Sequence, residues 1–160
     1  KVPADAVVRS RLLEPGDAIP ESAIWIDLMS PTPAEDRMVE KLLGVAVPTR
    51  EEMQEIEVSS RLYIENGARF MTATLMCQSD TASPRHTPVT FILSRQRLVT
   101  VRYEEPRPFT IIDHRLGRSC PPTATGETVL TDLLDAVVDR AADILERAGA
   151  EISLMPALTT

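Results

Sequence analysis

Positive charge is in short supply in this chain. Its 17 Lys and Arg stand against 24 Asp and Glu, for a formal net charge of −7. A nucleic-acid binder carries a basic footprint, so nucleic acid is not an expected partner. Histidine is scarcer still. His86 and His114 are the only two, and they lie far apart in polar segments. A zinc site takes about four nitrogen or sulfur ligands, and these two would have to converge with Cys77 and Cys120 to supply them. Those two cysteines form no Cys-x-x-Cys pair, which speaks against a disulfide framework and for a reducing compartment. No apolar run approaches the roughly 18 residues of a membrane span, and no secretory leader is visible. The chain opens on Lys1 in place of Met, as a piece of something larger would. It has no Gly-rich phosphate loop, no Gly-x-Ser-x-Gly and no His-Glu-x-x-His. Motifs therefore nominate no catalytic residue and no cofactor.

What is present is a core. The chain has 160 residues, of which 43% are hydrophobic. That is enough for one packed domain. The pattern is organised around Pro48 to Cys77. Thr49 with Glu52 three residues later is a capping box and starts a short helix. Arg61 to Glu65 reads as a short strand. Asn66-Gly67 is a strong hairpin signal, because both central residues of a type I′ turn need positive φ. Phe70 to Cys77 returns as a strand with no charge on either set of alternate positions. A strand with one wet face would alternate apolar with charged residues, so this one is expected inside a sheet covered on both sides.

The rest of the chain supplies the cover. Residues 7–13 and 24–28 read as strands. Thr32, Pro33 and Glu35 open a helix that carries Met38, Val39, Leu42 and Leu43 and stops at Gly44. Segments 88–93 and 98–103 form a second hairpin. A short helix is expected over 109–118. A long amphipathic helix follows over 127–148, ending near Gly149. Together these predict an α/β fold, a three-layer α/β/α sandwich with a mixed, largely antiparallel central sheet. Helices at 33–43 and 49–57 would cover one face, and helices at 108–118 and 127–148 the other.

The acidic residues are the candidates for chemistry. Glu51, Glu52, Glu55 and Glu57 crowd the short helix. Magnesium and calcium take oxygen ligands, so such a cluster suits a hard cation. Acids in a first turn also complement the helix dipole, and that plain alternative stands beside it. Asp132, Asp135, Asp139 and Asp143 form a stripe on the long helix at spacings of three and four, open to the same two readings.

From Trp25 onward the chain resembles the N-terminal soluble domain of the CorA family of divalent-cation transporters. The residues that carry the resemblance are Trp25-Ile26-Asp27-Leu28, then Leu43-Gly44-Val45 followed by Pro48 and Glu51-Glu52, and Arg61-Leu62-Tyr63-Ile64-Glu65-Asn66-Gly67. After them come Thr87-Pro88-Val89-Thr90-Phe91-Ile92-Leu93, Leu98-Val99-Thr100-Val101-Arg102-Tyr103 and the helix Leu133-Leu134-Asp135-Ala136-Val137-Val138-Asp139. The family's Gly-Met-Asn signature is absent from this sequence. Residues 1–150 are expected to be the funnel domain, and 151–160 the start of a truncated stalk or tail.

The resemblance implies a homopentameric channel that admits magnesium, and often cobalt or nickel, on the cytoplasmic side of the inner membrane. Magnesium would be a transported and regulatory ion, not a bound cofactor. This chain would be the regulatory part, sensing divalent cation through Glu51 and Glu52, with Asp132, Asp135, Asp139 and Asp143 next in line. Relatives often place a sensing aspartate where this chain has Glu52. The membrane would be reached only through C-terminal helices that this sequence does not contain. The chain alone is expected to be a monomer or weak dimer. Alternatives are a zinc-transporting relative, a small acidic α/β interaction module, and an enzyme with a carboxylate-based site.

Overall fold

The computed structural model describes residues 12–14, 16–78 and 81–157. The strand expected at 7–13 lies outside the described residues apart from Leu12 and Leu13, which carry no regular structure.

The sheet is built on two hairpins. Strand β2 (Leu62–Glu65) turns through Asn66 and Gly67 into β3 (Ala68–Cys77). The turn residues have φ of 47° and 79°, as a type I′ turn demands. Strand β4 (Arg85–Ser94) turns through Arg95 and Gln96 into β5 (Arg97–Arg102). These four strands form an antiparallel meander, and β1 (Trp25–Met29) adds in parallel beside β5. The order is β1-β5-β4-β3-β2, a mixed and largely antiparallel sheet, as the sequence predicted.

Each face carries its own core. Helix α1 (Pro33–Leu43) and the short α2 (Arg50–Met53) lie on one side. There Val39 and Met53 pack with Leu28, Phe70, Ile92, Val99 and Val101. Helix α4 (Arg107–Arg118) and helix α5 (Gly126–Leu154) lie on the other. There Phe109, Ile112, Val129 and Leu133 pack with Leu75, Val89, Phe91 and Leu98. Alternation along β5 does the sorting, since Val99 and Val101 face α1 while Leu98 faces α5. Phe109 is the hub of the second core, with ring centroids 6.2 Å from Phe91 and 6.3 Å from Trp25.

Several boundaries differ from those expected. The helix predicted over 49–57 is broken: α2 ends at Met53, and a second short helix, α3 (Val58–Arg61), follows. Arg61 closes α3 and does not open β2. Glu55 and Glu57 therefore stand outside α2. Helix α5 passes Gly149 and runs to Leu154, because nothing there turns the chain left-handed: Gly149 is not among the glycines with positive φ. The cover over β3 is also uneven. Phe70, Leu75 and Cys77 are buried, but Met71, Thr72 and Ala73 are half-buried and Thr74 is exposed. Beyond them the edge strand leaves Leu62 60% and Ile64 71% exposed.

Candidate functional site

The acidic region beside α2 is assembled from both ends of the first core. Gly44 ends α1 in the left-handed conformation, at φ 71°. Its carbonyl accepts a 3.2 Å bond from Asn66 Nδ2 at the tip of the β2–β3 turn. The Val47 amide then donates to Glu40 Oε1 at 3.2 Å, which folds the connection back onto α1. Thr49 caps α2 reciprocally. Its hydroxyl accepts from the Glu52 amide at 3.2 Å, and Glu52 Oε1 accepts from the Thr49 hydroxyl at 3.1 Å. Met53, 1% exposed, anchors the helix in the core. Burying such a side chain contributes about 1.5–3 kcal/mol.

An open cleft of about 440 Å³ lies beside this helix, with Glu52, Glu55, Tyr63 and Glu65 on its walls. Tyr63 stacks on Phe70 with centroids 4.5 Å apart. Burial pushes its phenol above the usual tyrosine range, and the charges of Glu65 and then Glu52 push it further. The cleft's walls carry three carboxylates, Glu52, Glu55 and Glu65. A parallel effect appears on α1, where burial and the neighbouring Glu40 and Glu35 raise the Asp36 carboxyl. Arg50 meanwhile lies over the Tyr103 ring, 4.9 Å from its centroid.

Glu51 and Glu52 both stand exposed on α2. Glu52 Oε1 is engaged in the cap, so the dipole-and-cap role is realised in the structure. The pair still matches the chemistry of magnesium, which takes one or two protein carboxylates and keeps several waters. The aspartate stripe is a solvent face, with Asp132 half-buried and Asp135, Asp139 and Asp143 exposed. The structure does not bring the stripe and the α2 acids together, since α5 and α2 belong to opposite layers. Among the described residues no group of three or more His, Cys, Asp and Glu is arranged to hold a metal ion.

A polar network that the sequence did not announce lies on the α4 side of the sheet. Trp25 Nε1 donates to Thr100 Oγ1 at 3.0 Å, and Thr100 Oγ1 donates to Asp27 Oδ1 at 2.8 Å. Arg102 completes it with charge-assisted bonds to both Asp27 oxygens. The signal available was Asp27 inside an apolar strand. The partner was hidden because β1 and β5 are distant in sequence.

Comparison with known proteins places this geometry. The family model described as CorA-like Mg2+ transporter protein matches residues 20–155. The magnesium transport protein CorA of Wolinella succinogenes is 28% identical over 134 residues, covering 81% of this chain and 42% of that protein. Its counterpart in Campylobacter jejuni subsp. jejuni is 29% identical over 136 residues, covering 80% and 42%. The one in Escherichia coli strain K12 is 24% identical over 131 residues, covering 82% and 42%. The chain therefore spans less than half the length of these relatives. Among solved structures, the soluble domain of CorA from Methanocaldococcus jannaschii superposes with a TM-score of 0.63 at 18% identity, covering 81% of this chain and 52% of that one. The full-length CmaX protein gives a TM-score of 0.63 at 13% identity, covering 86% and 42%. Both show the shared fold. Because the family match takes in the whole sheet and both helical layers, this chain belongs to the CorA-like Mg2+ transporter family.

Proposed function

We propose that this chain is the N-terminal regulatory domain of a magnesium-transporting membrane protein, held on the cytoplasmic side and assembled there as a pentamer. The observation that carries the reading is the family match over residues 20–155. The family is one of transporters, not enzymes. Among the described residues no helix is long and apolar enough to cross a membrane. Conduction would therefore belong to other parts of the full-length protein, since lipid is crossed only by helices or closed barrels.

The domain's own contribution is sensing. Glu51 and Glu52 offer two exposed carboxylates on a helix rigidly tied to the core through Met53. Facing acids from a neighbouring subunit would complete the site. A divalent cation would bridge groups that otherwise repel, and so favour the closed assembly. Its loss would release the clamp and shift the population toward the open one. A shell that retains water makes the affinity low, which suits a sensor of an abundant ion.

The test uses the full-length protein. Glu51→Gln with Glu52→Gln removes both charges while leaving an acceptor for the cap, since Gln serves at that position. The expected result is loss of magnesium-dependent protection from protease. Unchanged protection would leave these residues as surface acids that cap α2, and would move the sensing role to Asp132, Asp135, Asp139 and Asp143.

A further inference from the structure

The two walls of the acidic cleft are joined in two different ways. One wall is the α1–α2 connection with α2, carrying Val47, Pro48 and Glu52; the other is β2, carrying Tyr63 and Glu65. The chain itself joins them once, running from α2 through α3 into β2. A side chain joins them a second time. Asn66 follows Glu65 directly and donates from Nδ2 to the Gly44 carbonyl, at the start of the opposite wall, at 3.2 Å. Asn66 also holds the first central position of the β2–β3 turn, at φ 47°. Glycine, asparagine and aspartate all suit that backbone. Of the three, only asparagine carries a side-chain N–H. The turn would be served by any of them, whereas the bond to Gly44 needs asparagine.

We propose that Asn66 is a positioning residue for cation sensing: its amide straps β2 to the α1–α2 connection and so holds the Glu65 carboxylate toward the wall that carries Glu52. The role rests on the sensing reading of Glu51 and Glu52. Glu52, Glu55 and Glu65 are all exposed, and like charges left free would spread apart. They form no metal site by themselves, so Glu65 acts through its charge and not as a ligand. A concave surface lined by one sign of charge focuses its field and concentrates counter-ions. No lysine or arginine stands among the residues lining this cleft, so nothing on its walls offsets the three acids. Tyr63 lies between the walls and registers both of them. After burial, the charges of Glu65 and then Glu52 are what push its phenol above the usual tyrosine range. Freed of the strap, Glu65 would move away from Glu52, and a cation at Glu52 would bind less tightly.

Asn66→Gly tests the strap, because glycine keeps the positive φ and removes the donor. In the full-length protein, the magnesium concentration that gives half-maximal protection from protease should rise roughly 2- to 10-fold, the worth of one hydrogen bond. Glu65→Gln should raise it as well, and Asn66→Gly should then add nothing further, since the strap acts through that carboxylate. A purely structural role would instead add its effect to that of Glu65→Gln. A midpoint that Asn66→Gly leaves unmoved, or two effects that add, would overturn the proposal while leaving the sensing reading intact. A full-length protein with no magnesium-dependent protection would overturn both. The strap is also tested without magnesium. In this chain Tyr103→Phe leaves Tyr63 as the sole tyrosine, so an absorbance titration reads its phenol directly. Asn66→Gly in that background should let the phenol titrate at lower pH, nearer the ordinary tyrosine range. An unchanged titration would show that Asn66 does not hold Glu65 in place, and would overturn the proposal by itself.

Discussion

Arg102 grips Asp27 through both carboxylate oxygens. Its Nη2 stands 2.7 Å from Oδ2, and its Nε stands 3.1 Å from Oδ1. The same guanidinium lies over the Phe109 ring at 4.9 Å and donates from Nη1 to the Glu104 carbonyl. One side chain thus ties the parallel strand β1, the end of β5 and the start of α4. The Arg102 side chain is 9% exposed and that of Asp27 27%, so the pair is screened by protein on most sides.

Arg102→Ala should therefore destabilise the fold well beyond a surface pair. Removing one partner of a buried pair typically costs about 3–5 kcal/mol, and the partial exposure of Asp27 favours about 3 kcal/mol here. Urea unfolding of the variant against the parent chain measures it. A loss of under about 1 kcal/mol, the range of surface pairs, would show that water replaces the guanidinium at little cost.

Gly126 opens α5 where the helix touches the β4–β5 turn. Its amide donates to the Gln96 carbonyl at 2.6 Å. A Cβ at this position would run into the backbone of Arg97 and Leu98. Gly126→Ala should push the first turn of α5 off the sheet and cost about 1–3 kcal/mol, in the manner of overpacking. Gly149→Ala is the control. A Cβ there meets nothing within 4 Å, and Ala is the better helix former by about 1 kcal/mol. Thermal melts of the two variants should move in opposite directions.

Asp36 supplies a pH dependence. Its carboxyl is raised above 3.8 by burial first, then by Glu40 and Glu35. One of its oxygens is buried without a hydrogen-bond partner. A raised acid means that the folded state holds its proton more tightly than the unfolded chain. Its contribution to stability is thus greatest below 3.8 and is lost as pH rises through the elevated folded value. Asp36→Asn should melt higher than the parent chain at pH 7, with the difference shrinking as pH falls toward 3.8. A constant difference across that range would show that shape, not charge, sets the effect.

Local chemistry made most of the fold readable in the sequence. The Thr49–Glu52 capping box, the Asn66-Gly67 turn and the helix bounded by Thr32 and Gly44 all depend on residues a few positions apart, and each stands where predicted. The two-layer cover followed from the two-sided apolar character of residues 70–77 and 89–93. What escaped were relations between distant segments. Gly126 stands just ahead of the helix expected over 127–148, and its close approach was not legible because the backbone it meets is in the β4–β5 hairpin. The apolar residues of α5 read as one face because periodicity counts hydrophobic positions without saying which ones have a partner. Leu133 and Leu134 are neighbours in sequence, yet one is fully buried and the other 42% exposed. The candidate site was readable as a set of acids. Its cleft was not, since Tyr63 and Glu65 come from β2 and Glu52 from α2, with a loop and α3 between them.

The parallel pairing of β1 with β5 has a consequence for how the chain reaches this structure. Every contact in the β2–β5 meander lies between sequence neighbours that a hairpin can zip together. Asp27 and Thr100, by contrast, are 73 residues apart, and the segment between them contains β2, β3, β4 and the start of β5. Closing so long a loop before its interior is ordered gains few contacts for the entropy lost. Strand β1, although it precedes the meander in the chain, is therefore expected to dock after the meander has formed. The β5 it docks on would already be paired with β4, and Arg102 fastens it through Asp27.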